Sequence, residues 1–190
     1  MKLATKIAAV LIIGVALGLA ATWFTVVRIV IPVGLRDGPW RTNLMVGNSG
    51  ADLYTRARVA VHGLLALSRS ETIYFTAAHD NDGEPLDGGC VYQVSGRDPD
   101  ARWWSITAYG PDDFLIPNSA WRYSVSKTTV ARTQDGSFSI QVGGRGSGSN
   151  WIPLAPERFS LTLRLYNPSE LVALDPIDTV LPAIRKMGCP

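Results

Sequence analysis

A long run of apolar residues near the N-terminus constrains this chain more than any other feature. Ile7–Val33 contains a single charged residue, Arg28, and Ile7–Val27 alone supplies about twenty apolar or weakly polar residues, enough to cross a bilayer as a helix. Because Lys2 and Lys6 precede the run and a large domain follows it, we expect a cytoplasmic N-terminus and an exported domain. Residues 1–33 are therefore assigned to the cytoplasmic N-terminus and a transmembrane anchor.

A cleaved signal peptide is the alternative interpretation of the same run. Gly18-Leu19-Ala20 has the small-x-small pattern of a cleavage site. The apolar run continues well beyond it, which favours an uncleaved anchor. Both interpretations export the domain.

The rest of the chain has the composition of one turn-rich globular domain. Of 190 residues, roughly 150 remain after the anchor, a size that suits a single domain with a substantial core. The 18 glycines and 12 prolines point to many turns. The formal net charge is +2 and the basic residues are scattered, so the chain lacks the basic footprint of a nucleic-acid-binding protein.

Local patterns predict a domain made mainly of β-strands. Residues 34–50 contain several glycines and prolines and are assigned to a linker, which leaves 51–190 as the exported domain. Asp52 is expected to cap an amphipathic helix that runs to about Leu67. Apolar residues alternate with polar ones over Phe159–Tyr166, as in a half-buried strand, and Pro176–Met187 is assigned to a short C-terminal helix. The expected fold is an antiparallel β-sandwich of about eight strands.

The cysteines and acidic residues do not form a metal-binding pattern. Cys90 and Cys189 are far apart in the sequence, and in an exported domain they are expected to form a disulfide, with two unpaired thiols as the alternative. The acidic segment His79–Asp87 departs from the calcium loop of an EF-hand in the positions of its glycine and glutamate, so a surface hairpin is expected there. We expect neither a metal nor a cofactor.

Nothing in the sequence matches a known catalytic arrangement. His62, Asp112 and Asp113 are the residues that a hydrolase would draw on, but no triad or paired-carboxylate setting surrounds them. The segment 143–149 is rich in glycine and contains Arg145, which could cradle an anion, although it matches neither nucleotide-binding loop pattern. The alternative for this segment is a mobile loop tip.

A ligand-binding site is easier to assemble from the sequence than a catalytic one. Aromatic faces and hydrogen-bond donors could come from six residues: Trp104, Asn118, Arg122, Tyr123, Asn150 and Trp151. The alternative is structural, with both asparagines holding turns and Arg122 paired with Asp112 or Asp113. Strand alternation would place Trp121 and Tyr123 in the core and Arg122 on the outside.

Between Trp103 and Pro168 the motifs follow one another in the order of a bacterial family. They are Trp104-Ser105-Ile106-Thr107 with Tyr109, Asp113-Phe114-Leu115 with Pro117-Asn118, Arg122-Tyr123-Ser124, Asp135-Gly136-Ser137, Ser149-Asn150-Trp151 with Pro153, and Leu163-Arg164-Leu165-Tyr166 with Pro168. This order resembles domain of unknown function 1214, of which the chain would be a membrane-anchored, single-domain member. The resemblance implies a jelly-roll β-sandwich and no established reaction. Larger members carry a second, preceding domain for which this chain is too short.

These observations give two hypotheses about function. The first is a ligand-binding or protein-interaction module of the cell envelope, anchored in the bacterial inner membrane with its domain in the periplasm. Its partners would be the lipid bilayer, through residues 7–33, and an envelope protein or small ligand. The second is a hydrolase that acts on envelope polysaccharide or a small ester. The sequence does not decide whether the protein is an enzyme.

Overall fold

The ten strands of the described residues form two sheets. The computed structural model describes residues 3–27, 34–61, 66–176 and 179–189. Its strands are β1 (Leu35–Asp37), β2 (Trp40–Thr42), β3 (Thr72–Ala77), β4 (Val91–Arg97), β5 (Ala101–Tyr109), β6 (Ser124–Ser126), β7 (Ser137–Val142), β8 (Trp151–Ile152), β9 (Ser160–Pro168) and β10 (Ala183–Gly188). The first sheet has the order β1-β2-β3-β9-β5-β6 and the second the order β10-β4-β7-β8. Neither of these two sheets closes into a barrel.

Alternating side chains at the centre of the first sheet build the core. Leu161, Leu163 and Leu165 of β9 are buried and point to the same side as Trp104 and the other inward residues of β5. The two strands are antiparallel, with Ile106 opposite Leu163. The predicted alternation of β9 therefore corresponds to one core face and one outer face.

The two sheets pack against each other as a sandwich. The rings of Trp104 in β5 and Phe138 in β7 lie 4.9 Å apart, and those of Tyr92 in β4 and Phe159 lie 5.7 Å apart, edge to face. Residues of both sheets belong to one buried cluster. The prediction of a mainly β sandwich behind a long apolar helix is confirmed.

The N-terminal helix α1 (Leu3–Val27) is long and apolar enough to cross a membrane, and a signal sequence would have the same character. Its one buried residue is Val26, and it contacts helix α2 (Leu53–Val61). Residues 28–33, the end of the predicted anchor, lie outside the described residues.

Helix α2 begins where the sequence predicts. The Asp52 carboxylate accepts hydrogen bonds from Tyr54 N at 2.9 Å and Thr55 N at 3.1 Å, as an N-cap does. The described helix ends at Val61, and residues 62–65, which the prediction included, lie outside the described residues. None of its residues is buried.

The segment 34–50, expected to be a linker, instead contributes β1 and β2 to the edge of the first sheet. Trp40 is fully buried, and its indole Nε1 donates to the carbonyl of Pro182 at 2.7 Å. This contact joins residues that are 142 positions apart. The glycines and prolines of 34–50, on which the linker prediction depended, therefore give no sign of it.

Among the described residues of the predicted C-terminal helix, Pro176–Met187, none is in an α-helix. Residues 183–188 form strand β10, which pairs with β4, and the short helix of this region is α3 (Glu170–Leu174), capped by Ser169. Ile184 is buried and exchanges two hydrogen bonds with Asn81, one to its side chain and one from its backbone. The helical spacing of the apolar residues is therefore overridden by pairing with distant segments.

The first sheet has two distinct ends. Every pairing in it is antiparallel, so β1, β3 and β5 all begin at one end. At this end α1 leads toward β1, α2 leads toward β3, and α3 follows β9. The turn that joins β5 to β6, residues 110–123, lies at the opposite end.

Candidate functional site

A shallow open groove of about 420 Å³ lies between two loops of the domain. One wall is the turn 117–119 between β5 and β6, and the other is the glycine-rich loop 143–149. Residues 151–155 complete the lining. The lining residues are Pro117, Asn118, Ser119, Gly144, Arg145, Gly146, Trp151, Pro153, Leu154 and Ala155.

Hydrogen bonds and close contacts hold the glycine-rich loop over Trp151. Gln141 Nε2 donates to the carbonyls of Gly143 at 3.1 Å and Arg145 at 3.0 Å, and Trp151 Nε1 donates to Gly143 at 3.3 Å. Gly146 lies so close to the indole that a Cβ there would come within 2.6 Å of it. Residues 143–146 therefore form a wall of the groove through defined contacts, and the mobile tip expected for this loop stays a prediction.

Arg145 gives the groove its charge. It is the one charged residue among the groove residues that the structure describes, and its side chain is exposed. The glycine-rich segment predicts Arg145 as an anion contact, but no sequence pattern places it beside Trp151. Ser119 and the segment 153–155 were missed, because their position in the groove depends on how distant loops meet.

Asn118 lies in the groove, but its amide is committed to the turn. Nδ2 donates to the carbonyls of Ile116 at 3.2 Å and Arg122 at 3.0 Å, and Oδ1 accepts from Arg122 N at 3.1 Å. This arrangement matches the structural alternative for Asn118.

The side-chain amide of Asn150 also forms hydrogen bonds to backbone groups, here of two other segments. Its Oδ1 accepts from Ala131 N at 2.7 Å, while Nδ2 donates to Ala131 O at 2.7 Å and to Ser139 O at 2.9 Å. Its amide therefore links the segment after β6 to β7, and Asn150 is not among the described residues that line the groove. The structural alternative again fits.

Trp104 belongs to the core and not to a binding face. It is fully buried, and its Nε1 donates to Asp98 Oδ1 at 3.1 Å. Trp151 is the aromatic candidate that reaches the groove, where it is half-buried. Of the six candidates, the structure thus brings Asn118 and Trp151 together.

The expectation for Arg122 and its neighbours is wrong in part. Trp121 is 82% exposed, with a φ of +52° that turns it away from the core, whereas Arg122 and Tyr123 are half-buried. Among the described residues Arg122 forms no ion pair with Asp112 or Asp113, and its Nη1 is buried without a hydrogen-bond partner. A left-handed residue breaks the strand alternation on which the expectation depended.

The acidic candidates lie on turns. Asp112 Oδ1 accepts from Phe114 N at 3.1 Å, and both Asp112 and Asp113 are exposed. In the acidic segment, buried Asp80 accepts from the amides of Asp82 and Glu84, so its carboxylate stabilises the turn.

His62 lies outside the described residues. Within the described ranges, no group of three or more potential metal ligands occurs.

Cys90 and Cys189 form a disulfide that ties the C-terminus to the start of β4. The carbonyl of Cys90 lies beneath Gly143, where a Cβ would come within 2.4 Å of it. The disulfide therefore adjoins the base of the glycine-rich loop.

Arg164 forms a second polar cluster on the outer face of the first sheet. Its guanidinium donates to Tyr109 Oη at 2.6 Å and to Thr107 Oγ1 at 3.3 Å, which links β9 to β5. Its place in a family motif predicts no particular contact for this arginine. Its hydrogen bonds give it a role in the sheet.

The resolved pKa shifts lie outside the groove. Hydrogen bonds from Thr133 and then Ser137 lower the pKa of Asp135 to about 2. The hydrogen bonds from Thr55 lower the pKa of Asp52, and burial raises the pKa of Tyr74. The pKa shifts of Asp135 and Asp52 thus follow from local hydrogen bonds, and that of Tyr74 follows from burial.

More than half of the chain matches the model of one known protein family. Residues 71–170 match the family described as "Protein of unknown function (DUF1214)". The chain belongs to this family. The match covers β3 to the first residue of α3, and so includes both walls of the groove.

A solved structure shares this DUF1214 fold. The VPA0106 protein from Vibrio parahaemolyticus is 24% identical, with a TM-score of 0.61 over 73% of this chain and 36% of that one. An uncharacterized protein from Burkholderia cenocepacia is 17% identical, with a TM-score of 0.46 over 89% of this chain and 40% of that one. This chain therefore spans well under half the length of either. No curated protein matches it.

Proposed function

We propose that this DUF1214 chain is a membrane-tethered binding module of the cell envelope, and that its groove takes a small anionic ligand. The observation that carries the proposal is Arg145, an exposed cation on the wall of a groove whose described lining has no carboxylate. A cation without an acidic neighbour attracts negatively charged ligands, and an arginine can pair with a carboxylate through two parallel hydrogen bonds.

The other groove residues narrow the ligand class. Trp151 offers part of an aromatic ring, Pro153 and Leu154 offer apolar surface, and the Ser119 hydroxyl offers a donor and an acceptor. A small ring with a carboxylate would use the apolar surface and the cation together. We therefore infer an acidic sugar, either free or at the end of an envelope glycan.

The cellular setting is part of the proposal. Helix α1 would anchor the chain in the bacterial inner membrane, with the N-terminus cytoplasmic and the domain in the periplasm. The Cys90–Cys189 disulfide is consistent with an oxidising compartment. Because β1 and β2 join the first sheet, the exported domain would begin near residue 34 rather than residue 51.

Ligand titration of the detergent-solubilised full chain tests the groove. Glucuronate should raise the melting temperature in a concentration-dependent way, whereas glucose should not. Arg145→Ala should abolish the shift and Arg145→Lys should keep part of it. Arg185→Ala removes an exposed arginine of β10 outside the groove and should leave the shift intact.

Two results would contradict the proposed ligand class. One is an equal shift with glucose and glucuronate, and the other is an unchanged glucuronate shift in the Arg145→Ala variant. Conversion of the sugar or of a small ester during the titration, abolished by Asp112→Asn or His62→Ala, would instead support the hydrolase hypothesis.

A further inference from the structure

The apolar side of α2 is exposed, and none of the residues of this helix is buried. Leu53 is 80% exposed and Val61 58% exposed, and Ala60 between them is also exposed. These residues are spaced to lie along one side of the helix. Exposed apolar surface on one helical face indicates a partner that covers it.

The position of α2 identifies that partner. The helix contacts α1, the segment that is long and apolar enough to cross a bilayer, and the buried Val26 lies in the last turn of α1. Because Val26 is the one buried residue of α1, we infer that α2 contacts this end of α1, and such an element would lie at the membrane surface when α1 spans the bilayer. Six residues separate Val27 from Gly34, and a chain of that length can extend about 25 Å at most. Gly34, where the domain begins, therefore lies within about that distance of the end of α1.

Helix α3 lies at the same end of the first sheet. It follows β9, at the end where β1, β3 and β5 begin, and it exposes Leu171 at 77% together with Leu174 at 73%. Neither leucine belongs to the core, whereas Val172 between them is buried. Two separate helices thus present apolar side chains at the end of the sheet that leads to the anchor.

We propose that the exposed apolar residues of α2 and α3 insert into the lipid headgroup region beside α1. A short helix with its apolar side in the interface buries that side among acyl chains and headgroups, and Tyr54, which is also exposed, suits this depth. The surface would fix the orientation of the domain, so that the turn 110–123 at the opposite end of the first sheet points away from the membrane. The proposal depends on α1 spanning the bilayer and not on the ligand proposed for the groove.

Environment-sensitive labels on the full chain in proteoliposomes test this orientation. Leu53→Cys, Val61→Cys and Leu171→Cys each add one thiol, while Cys90 and Cys189 remain joined in the disulfide. Trp121→Cys is the control, because Trp121 is 82% exposed, at least as much as the three test positions, but lies in the turn at the opposite end. Each thiol is labelled with the fluorophore NBD, and quenching by nitroxide-bearing phospholipid is compared with quenching by aqueous iodide.

The labels at 53, 61 and 171 should emit at shorter wavelength than the label at 121. They should also show a several-fold higher ratio of lipid quenching to iodide quenching. If they match the label at 121, the proposal is overturned, and so it is if alkaline carbonate releases the protein from the vesicles. All four positions are exposed, so the variants should fold, and an unchanged glucuronate titration in the same vesicles would separate failure here from failure of the groove.

Discussion

Asn150 offers a sharp test of whether the asparagines of the family motifs are structural. Replacing Asn150 with alanine removes four hydrogen bonds: two to the backbone of Ala131, one to the carbonyl of Ser139 and one from the Ser149 hydroxyl. Each such bond contributes a net of about 0.5–1.5 kcal/mol to stability. We therefore expect Asn150→Ala to lower the free energy of unfolding by about 3 kcal/mol, with part of the loss offset by water because the residue is half-buried.

Urea unfolding of the detergent-solubilised full chain measures this loss, followed by the fluorescence of buried tryptophans such as Trp104. Ser147→Ala is the control, since this exposed serine lies in the neighbouring loop; its substitution should change stability by less than about 0.5 kcal/mol. A change below about 1 kcal/mol in Asn150→Ala, together with loss of glucuronate binding, would refute the structural role.

Asn150→Asp adds a pH test of the same contacts. The new carboxylate would face the carbonyl oxygens of Ala131 and Ser139, which raises its folded-state pKa above the ordinary value of about 3.9. A raised pKa means that the variant is least destabilised below pH 4 and loses further stability as the pH rises. A penalty that does not depend on pH would show that the carboxylate has moved away from these carbonyls.

Two further predictions concern the disulfide and the turn before β7. Cys90→Ser with Cys189→Ser opens a loop of 99 residues, which should cost on the order of 4 kcal/mol in urea unfolding; dithiothreitol should destabilise the wild type but not this variant. Asp135, whose pKa is lowered to about 2 by Thr133 and Ser137, contributes stability that is present above about pH 4 and is lost as the pH falls toward 2. Asp135→Asn should flatten the acid unfolding profile over that range, and an unchanged profile would contradict the assignment.

The structure confirms the sequence analysis where the signal is local. The alternation of Phe159–Tyr166 marks a strand because a period of two puts every second residue into the core. Asp52 marks a helix start because its carboxylate reaches amides two and three residues ahead. The fold class followed from such patterns, and the family motifs indicated the same sandwich.

The errors arise where distant partners decide the outcome. Residues 183–188 carry apolar spacing that suits a helix, but pairing with β4 and with Asn81 makes them a strand. Trp40 lies in a segment that reads as a linker, and only its contact with Pro182 shows that it is core. No local pattern contains information about a partner a hundred residues away.

Local residue patterns were enough to predict the apolar helix, the strand-rich domain and the residue types at the candidate site. The packing of distant segments brings Arg145 and Trp151 to one groove with Ser119. It also places backbone carbonyls where they accept hydrogen bonds from the Asn118 and Asn150 amides. The physical reason is that a side chain's chemistry is local, whereas its availability depends on which neighbours the fold supplies. An asparagine that could bind a ligand is unavailable once buried backbone groups need its hydrogen bonds.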